Sequence, residues 1–385
     1  MSSPRVLVLH NRYRLAGGEE RAVELHLRSL RSAGVEHRLL ERSSSDTGRG
    51  AAARALLAGG RDPGEVGDAV RSLGASVAHF HNMQPLLGPR ALAAARDAGA
   101  AVVLHLHNFR LFCAIGVAFR DGEPCFRCRR GLTIPGLALN CRGALPESAV
   151  YAAALSRQLP AVLDAVDLFV APSRWAVEQL VRLGVPRGRV ESLPHYLPAE
   201  RLADASRADA GEYALALGRL TPEKGIETAI EAAAAAGVPL RVAGDGPLRG
   251  DLARLAAARR APVEMLGRVP EAELRVLRRD AAMQVVPTRG HETFGLVALE
   301  AMGAALPVVG TRAGALPEVA GAESCVPRDD PAALAEAMSE LWGHPERRRA
   351  GGDAALARAR GLFSEERFRE RLLSLYELAC GLRQT

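Results

Sequence analysis

Short apolar runs alternate with longer segments of helical period along the whole chain, and this alternation decides the fold class. Strands that alternate with crossover helices build parallel sheets with helices on both faces. The pattern therefore predicts two doubly wound α/β domains. The predicted strands are 5–10, 37–41, 77–80, 102–106, 168–170 and 190–193 in the first domain, and 213–217, 240–243, 263–266, 283–286, 307–309 and 324–326 in the second.

A proline-containing polar segment without a strand pattern, residues 194–211, marks the join between the two domains. A chain of 385 residues is long for one core and comfortable as two. We predict a first domain over residues 1–198, with a cysteine-rich insertion at about 109–145. The second domain is predicted over 199–362, followed by a C-terminal helix over 363–385.

The net charge of +6 is spread over mixed surfaces, with no basic tail and no signature of a nucleic-acid-binding module. Nucleic acid is therefore not an expected partner. The opening MSSPR leads directly into the strand-like VLVLH, and no apolar run reaches about 18 residues. We expect a soluble cytoplasmic protein. The Arg-rich surface is compatible with peripheral contact at the inner face of a membrane, although no basic amphipathic helix assigns one.

Three His-Asn dipeptides follow three different predicted strands, ending at Asn11, Asn82 and Asn108. The carboxyl ends of parallel strands meet at one edge of a sheet, where ligands bind. A single such dipeptide is typical of a turn. Three of them predict a polar cleft whose donors and acceptors are aimed at a hydroxyl-rich ligand. Gly17 and Gly18, just before the first helix, are weaker candidates for close backbone approach to a ligand.

The segment GRLTPEKG places Arg219 and Lys224 on either side of a tight turn that opens a helix. Lys224 is the only lysine among the 50 basic residues, which favours a site that needs a compact ammonium. Two cations beside free backbone donors suit a nucleoside diphosphate. A surface turn with incidental charge, or a Schiff-base lysine, is the alternative. The next strand ends in Gly244-Asp245, a loop with room for a base or ribose.

The segment HETFGLVALEAMG predicts an apolar helix from Thr293, with carboxylates at Glu292 and Glu300. A glutamate in such a helix needs polar partners. Eight residues of helix separate the two carboxylates by roughly 12 Å along its axis. This spacing suits Glu300 on a ribose, Glu292 on a sugar, and the N–H groups near Phe294 to Val297 on the phosphate between them.

The motifs GRLTPEKG, AGDGPL and ETFGLVALEAMGAALPVVGTRAGALPEV resemble those of family 4 nucleotide-sugar-dependent glycosyltransferases, which retain anomeric configuration and have the GT-B fold. The resemblance is specific over about 211–330. It implies two Rossmann-like domains facing each other across a cleft, with the first binding the acceptor and the C-terminal helix crossing back to it. The residues implied on the donor are Gly17, Gly18, Arg219, Lys224, Gly244, Asp245, Glu292, Thr293, Phe294, Gly295, Leu296, Val297 and Glu300.

The implied activity is sugar transfer from a nucleotide diphosphate sugar to a glycan, lipid-linked or natural-product hydroxyl, an EC 2.4 hexosyltransferase reaction. Because no Asp-x-Asp motif occurs, Arg219 and Lys224 are expected to neutralise the leaving group without a metal cofactor. His107 is implied near the reacting sugar, where it orients or stabilises. An epimerase on the same scaffold and a non-catalytic nucleotide-sugar-binding protein are the alternatives, since fold alone does not set the reaction.

Four of the six cysteines lie within the predicted insertion: Cys113, Cys125, Cys128 and Cys141. Four thiolates are the ligand count of a structural zinc site, and the middle pair has Cys-x-x-Cys spacing. The two outer spacings are longer than in a tight double motif. Free buried thiols and disulfides are the alternatives.

Overall fold

The computed structural model describes residues 4–13 and 17–384, which divide into two compact units. Unit 1 comprises the described residues up to Ala118, residues 125–194 and the chain from Glu366 onward. Unit 2 comprises Phe119–Pro124 and His195–Glu365. The short hairpin at 119–124 therefore belongs with the second half of the chain.

Unit 1 is built on a six-stranded sheet in the order β2-β1-β3-β4-β7-β8, with every neighbouring pair parallel. Its strands are β1 Val6–Arg12, β2 His37–Ser43, β3 Val77–Asn82, β4 Ala101–His105, β7 Leu168–Ala171 and β8 Val190–Ser192. Its helices are α1 Gly18–Ser32, α2 Arg49–Ala58, α3 Pro63–Leu73, α4 Gly88–Asp97, α5 Ile134–Ala138, α6 Leu145–Ala165, α7 Arg174–Leu183 and α15 Glu365–Gln384.

The two faces of the unit 1 sheet differ in chemistry because side chains alternate along each strand. Leu7, Phe80 and Leu104 lie on one face, within the main apolar core. Alternate positions of the same strands carry His79, His81 and His105 on the other face. That face is covered in part by α1 and α15. Both helices contribute buried residues to this contact: Val23, His26 and Leu30 from α1, and Phe368, Leu372 and Tyr376 from α15.

Unit 2 has a second parallel six-stranded sheet, in the order β11-β10-β9-β12-β13-β14. Its strands are β9 Ala214–Leu217, β10 Leu240–Ala243, β11 Val263–Gly267, β12 Met283–Val286, β13 Val308–Thr311 and β14 Cys325–Val326. Its helices are α8 Ile226–Ala236, α9 Arg249–Ala258, α10 Glu271–Arg279, α11 Leu296–Gly303, α12 Leu316–Ala320, α13 Pro331–Gly343 and α14 Pro345–Leu362.

Helices cover both faces of the unit 2 sheet, and each face has its own buried core. One core joins α8 and α13 to the sheet through Ile230 and Leu334. The other joins α11 and α14 through Leu299 and Ala359. Most of these parallel strands are buried on both faces, and such strands have continuous apolar sequences, so the sequence predicted all twelve. The prediction of a doubly wound α/β fold is confirmed.

The sequence did not predict the antiparallel hairpin formed by β5 Phe119–Arg120 and β6 Glu123–Pro124. Two-residue strands are too short to show a period. Arg289 of unit 2 donates to the carbonyl oxygen of Gly122, and Arg328 pairs with Glu123, so charged contacts hold the hairpin to unit 2.

Among residues 4–13 and 17–384, no helix combines the length and the hydropathy that crossing a bilayer would require.

Gly244, directly after β10, gives a test of how tightly the strand-end loops pack. Its φ is +152°, and a Cβ placed there would lie 1.8 Å from the carbonyl oxygen of Gly218. Gly237 has φ +65° with no atom within 4 Å of its Cβ position. Gly237→Ala should lower the unfolding free energy by about 1 kcal/mol, because alanine is strained in this left-handed backbone conformation even without a close contact. Gly244→Ala should cost about 1–3 kcal/mol more, because of the close contact.

The measurement is chemical unfolding followed by fluorescence in a Trp175→Phe background, where Trp342 in α13 reports on unit 2. Equal losses in the two alanine variants would contradict the tight packing of these loops.

Candidate functional site

The strand order of the unit 2 sheet reverses between β9 and β12. Ligands of open α/β sheets bind beyond the carboxyl ends of the strands at such a switch point. The loop after β9 carries Arg219 and Lys224, and the loop after β12 carries Glu292. The topology therefore places these three residues where a ligand is expected.

The two loops are locked together through their backbones. Gly225 has φ +63°, and a Cβ there would lie 2.1 Å from the carbonyl oxygen of Pro287. The N–H groups of Arg289 and Gly290 both donate to the carbonyl oxygen of Glu223, at 3.0 and 2.9 Å. This close approach requires glycine at 225 and fixes the loop that carries Lys224.

Lys224 and Glu292 form an ion pair at the centre of the candidate site, with side chains 24% and 15% exposed. The Thr288 hydroxyl donates to the same carboxylate oxygen at 3.1 Å. Burial alone would raise the pKa of Glu292, but the charge and hydrogen bond of Lys224, the Thr288 hydrogen bond and the charge of Arg219 together lower it. Glu292 is therefore an anion at neutral pH and not a proton donor.

Arg219 extends the positive charge of this site toward solvent. Its side chain is 64% exposed and pairs with Glu223 at 3.1 Å. The loop after β10 lies alongside, since Leu220 N–H donates to the Asp245 carbonyl oxygen at 3.0 Å. The Asp245 carboxylate accepts from Gly246 N–H at 2.9 Å. Three strand-end loops thus contribute to one polar surface.

The helix predicted from Thr293 begins three residues later, at Leu296. Gly295 has φ +102°, and the carbonyl oxygen of Glu292 accepts from Ala315 N–H at 2.8 Å. These features hold 292–295 as a loop, so Glu292 is not on α11 and the expected axial spacing between the two carboxylates does not apply. The N–H groups of Leu296 and Val297 open the helix, where a first turn has no internal acceptors.

Phe294 lies in the apolar core and not at an exposed surface. Its ring packs edge-on against His195 and Phe363, with centroids 5.0 and 5.6 Å apart. Its side chain therefore anchors the loop, while its backbone remains part of the strand-end surface.

Glu300 pairs with Arg278 of α10 at 2.5 Å, and both side chains are largely buried. The two residues line a cavity whose walls also include Arg201, Arg207 and Arg275. Arg278 supplies the polar partner that a glutamate in this apolar helix needs. No sequence pattern pointed to Arg278, because it lies on a different helix, 22 residues before Glu300 in the chain.

In unit 1 the strand order reverses between β1 and β3, next to Gly17 and Gly18 at the start of α1. The Gly17 N–H donates to the Glu20 carboxylate at 2.7 Å, and Tyr13 N–H donates to its other oxygen at 3.1 Å. Glu20 therefore satisfies the backbone N–H of Gly17, one of the two glycines predicted to approach a ligand.

Two of the three asparagines at this edge act differently from the prediction. Asn11 and Asn82 are buried, and the Asn82 amide donates to the Asn11 carbonyl oxygen at 2.7 Å. Asn11 donates to the Ser44 hydroxyl at 2.8 Å and accepts from Leu86 N–H at 3.2 Å. These amides hold neighbouring loops together, because buried polar groups take the nearest partners.

His107 follows β4 at the same edge and is partly exposed. Its Nε2 lies 2.8 Å from Nδ1 of His81, and its ring stacks on His105 with centroids 4.0 Å apart. The predicted reacting-sugar residue is thus the outer member of a histidine cluster.

Glu19 is a candidate site residue that the sequence analysis missed. Its carboxylate accepts from the Tyr13 hydroxyl at 2.9 Å and from Asn108 at 3.0 Å. Burial raises its pKa to about 8, despite the opposing hydrogen bonds and the charge of Arg110. Helical period was the available signal, since Glu19 lies on the α1 face that also carries Val23 and His26.

The four clustered cysteines all belong to unit 1 and are partly exposed. Burial, with a smaller contribution from the charges of the other three, raises the pKa of Cys128 to about 11. Within the described part of the chain, the two groups of three metal-binding side chains with donor atoms inside 4.8 Å contain only histidines. Zinc at the cysteines stays a prediction.

Comparison with known proteins matches both halves of the chain to glycosyltransferase models. A model described as Glycosyltransferase Family 4 matches residues 16–201, and one described as Glycosyl transferases group 1 matches residues 211–344. A GDP-mannose-dependent alpha-(1-6)-phosphatidylinositol dimannoside mannosyltransferase of Mycobacterium tuberculosis is 33% identical over 198 residues. That alignment covers 48% of this chain and 51% of the relative, so the chain spans about half the length of the relative it matches.

Solved structures resemble the whole chain. Sucrose-phosphate synthase from Thermosynechococcus elongatus aligns with a TM-score of 0.70 at 19% identity, over 97% of this chain and 98% of that one. Anabaena Alr3699/HepE in complex with UDP aligns with a TM-score of 0.65 at 15% identity, over 97% and 99%. At these identities the likeness shows the fold, two Rossmann-like domains with parallel sheets.

The raised pKa of Glu19 predicts how the stability of unit 1 depends on pH. The folded carboxyl keeps its proton up to about pH 8, whereas the unfolded chain releases it near pH 4.5. Stability due to this group therefore falls as pH rises through that window. Buried histidines such as His26 act in the opposite direction, and their contribution extends about one pH unit above their unfolded pKa of about 6.5. Because Glu19→Gln keeps these histidines, the parent protein should lose about 1–2 kcal/mol of unfolding free energy relative to Glu19→Gln between pH 6.5 and 8.

Glu24→Gln, on the exposed side of α1, should show the same loss relative to Glu19→Gln as the parent protein does. Unfolding is followed in a Trp342→Phe background, where Trp175 reports on unit 1. The same pH dependence in all three proteins would show that Glu19 is ionised in the folded state.

Proposed function

Because the chain belongs to the family 4 glycosyltransferases and has their GT-B fold, we propose that it moves a sugar from a nucleoside diphosphate to an acceptor hydroxyl. The observation that carries the proposal is the convergence of Lys224, Arg219 and Glu292 at the switch point of the unit 2 sheet. We assign the donor to unit 2 and the acceptor, a glycan, lipid-linked or natural-product hydroxyl, to unit 1.

The donor diphosphate lies against Lys224 and Arg219 in this proposal, close to the first N–H groups of α11. Both cations can form charge-assisted hydrogen bonds with phosphate oxygens, and the positive end of the helix dipole also favours an anion. Glu292, held as an anion, accepts hydrogen bonds from the hydroxyls of the transferred sugar. The loop of Gly244 and Asp245 borders the nucleoside, and Glu300 with Arg278 binds the ribose.

In the reaction, the acceptor oxygen forms a bond to the anomeric carbon while the bond from that carbon to the phosphate oxygen breaks. We propose attack on the face from which the leaving group departs, which retains configuration. The acceptor proton passes to the departing phosphate oxygen, and Lys224 and Arg219 balance the charge on the diphosphate. His107 stabilises the reacting centre and forms no covalent bond.

A donor panel tests the reaction. GDP-mannose is the first donor to include, because a matched relative is named as dependent on it. Release of nucleoside diphosphate in the presence of sugar acceptors supports the proposal, and NMR of the product gives the anomeric configuration. Interconversion of the donor sugar with no diphosphate released would instead indicate an epimerase.

Lys224→Gln tests the diphosphate contact. This substitution removes the charge while keeping a hydrogen-bonding side chain beside Glu292. Hydrogen bonds to charged groups contribute about 1.5–3 kcal/mol, so UDP and GDP affinity should fall about ten- to hundredfold. Isothermal titration calorimetry measures the affinities, with the matching nucleosides as ligand controls.

Arg254→Gln removes one positive charge from an exposed pair with Asp251 in the same unit and should leave these affinities unchanged. If Lys224→Gln reduces affinity for the unphosphorylated nucleosides as much as for UDP and GDP, Lys224 does not contact the diphosphate.

Glu300→Gln tests the ribose contact while leaving a neutral side chain of similar size opposite buried Arg278. The parent protein should bind the nucleoside diphosphate more tightly than its 2′-deoxy or 3′-deoxy analogue, by about 1 kcal/mol for the lost hydrogen bond. Glu300→Gln should reduce this discrimination. Glu271→Gln, which alters a partly exposed side chain in the same cavity, serves as the control. Unchanged discrimination in Glu300→Gln would place the ribose elsewhere.

A further inference from the structure

Residues 113–143 carry the four clustered cysteines and have little regular structure. This segment, which the structure describes in full, contains only the two-residue strands β5 and β6 and the five-residue helix α5. The side chains of Leu132, Ile134 and Leu137 are exposed. Because part of its apolar surface stays in water, the segment gains less from burial than a packed domain does. Small loop-rich structures of this kind are commonly held by a metal ion or by disulfides.

Gly136 of α5 joins two of the cysteines, Cys128 and Cys141. The Gly136 N–H donates to the sulfur of Cys128, and a Cβ at Gly136 would lie 3.4 Å from that sulfur. The Gly136 carbonyl oxygen accepts from Cys141 N–H at 3.0 Å. A backbone donor on a sulfur favours its thiolate form, because the hydrogen bond stabilises the charge.

Hydrogen bonds also tie the other two cysteines to this pair. The residue after Cys141, Arg142, donates to the carbonyl oxygen of the residue after Cys113 at 3.4 Å. Cys125 N–H donates to the carbonyl oxygen of Ala118 at 2.7 Å, which closes the loop that begins at Cys113. Cys-x-x-Cys spacing links Cys125 to the remaining cysteine. The four positions are thus connected to one another, although they span most of the segment.

The four sulfurs share one neighbourhood without touching. Besides burial, the charges of the other three cysteines each raise the pKa of Cys128. The structure describes all six cysteines of the chain, and none of them forms a disulfide. Among these described side chains no three sulfurs lie within 4.8 Å of one another, whereas sulfurs on one zinc ion lie about 3.8 Å apart. A change between staggered χ1 rotamers moves a cysteine sulfur by about 3 Å, so side-chain rotation can close the set while the backbone ties stay in place.

The charges beside the cysteines fit a dianion, which is what one Zn²⁺ with four thiolates forms. Arg127, Arg129 and Arg130 lie within or directly after the Cys-x-x-Cys pair. In the described part of the chain, none of the three has a carboxylate oxygen within 4.0 Å. Nearby cations without a paired carboxylate stabilise thiolates.

We propose that the four cysteines of this segment bind one structural zinc ion, which holds the segment in place. The ligands are the sulfurs of Cys113, Cys125, Cys128 and Cys141. Four sulfur–zinc bonds form as the ion displaces four thiol protons, which pass to solvent. Four protein ligands leave no open coordination position, so the ion supports the fold and takes no part in the proposed sugar transfer. Its presence does not depend on that activity.

The buried histidines of unit 1 are the competing metal site. His26, His79 and His81 each offer one donor atom, all within 4.8 Å of one another. The rings of His79 and His81 are stacked, however, with centroids 4.7 Å apart and 16° between their planes. The lone pair of an imidazole nitrogen lies in the plane of its ring, so stacked rings do not aim at one ion between them. Ring orientation therefore favours the cysteines as the zinc ligands.

Metal analysis of the full chain tests the proposal without an activity assay. The protein is purified under reducing conditions and without a metal-binding tag, and we expect about one zinc ion per chain. Metal-free protein should bind Co²⁺ with the thiolate-to-cobalt charge-transfer absorption of a tetrahedral sulfur site. The proposal fails if the protein contains iron in place of zinc or two disulfides. It also fails if the protein binds neither zinc nor cobalt while all six thiols react in the folded state.

Two replacements of Cys141 separate metal binding from packing. Cys141→Ala should reduce the affinity for zinc at least about tenfold, whereas Cys141→His should keep the ion, because structural zinc also accepts three cysteines and one histidine. Cys380→Ser, which alters a partly exposed cysteine of the same unit, is the matched control and should keep full zinc content. If Cys141→Ala keeps the ion, or if His79→Gln loses it, the cysteines are not the site.

Removal of zinc by a chelator should destabilise unit 1. In the Trp342→Phe background, where Trp175 reports on unit 1, the unfolding midpoint should fall by about 8–16 °C relative to protein with zinc at about a thousand times its Kd. Cys141→His should show a similar fall and Cys141→Ala none. Equal falls in the parent and in Cys141→Ala would show an effect of the chelator alone and would contradict a structural role for zinc.

Discussion

Parallel strand pairing is the constraint on which both candidate sites depend. It brings the carboxyl ends of all six strands in each unit to one edge, so residues far apart in sequence meet there. Lys224 and Glu292 are 68 residues apart, yet they form an ion pair because β9 and β12 are neighbours. His26 and His81 meet because α1 packs on the face of β3 that carries the histidines. No local motif brings these groups together. They meet because the sheet pairs strands that are far apart in sequence.

The two buried carboxylates at these edges have opposite charge states, and the difference follows from their partners. Glu292 has an ammonium and a hydroxyl donor, which outweigh the cost of burying its charge. Glu19 has hydroxyl and amide donors and a more distant guanidinium, which do not. One carboxylate is therefore an anion at neutral pH, a state suited to binding hydroxyls. The other is a neutral acid near pH 7, a state that suits proton transfer or hydrogen-bond donation.

The sequence predicted the sheets better than the side-chain contacts, for physical reasons. Buried parallel strands must be apolar, so their positions are visible without knowing their neighbours. The start of α11 depends on Gly295 and on a hydrogen bond from Ala315, a contact made by another part of the chain. The pairing of Arg278 with Glu300 likewise depends on a contact between two different helices, α10 and α11.

The His-Asn dipeptides lie where the sequence predicted, but two of their asparagines have partners that the sequence did not predict. They do lie at one edge, but the amides of Asn11 and Asn82 bond to the backbone, and His81 and His107 lie within hydrogen-bond distance of each other. The overlooked signal was alternation: His79 and His81, like His105 and His107, are two residues apart and share a face. A sheet face lined with histidines is costly unless each ring is neutral and bonded to another. Because a neutral imidazole cannot donate at both nitrogens, the hydrogen bond between His26 and His81 restricts the tautomers of both rings.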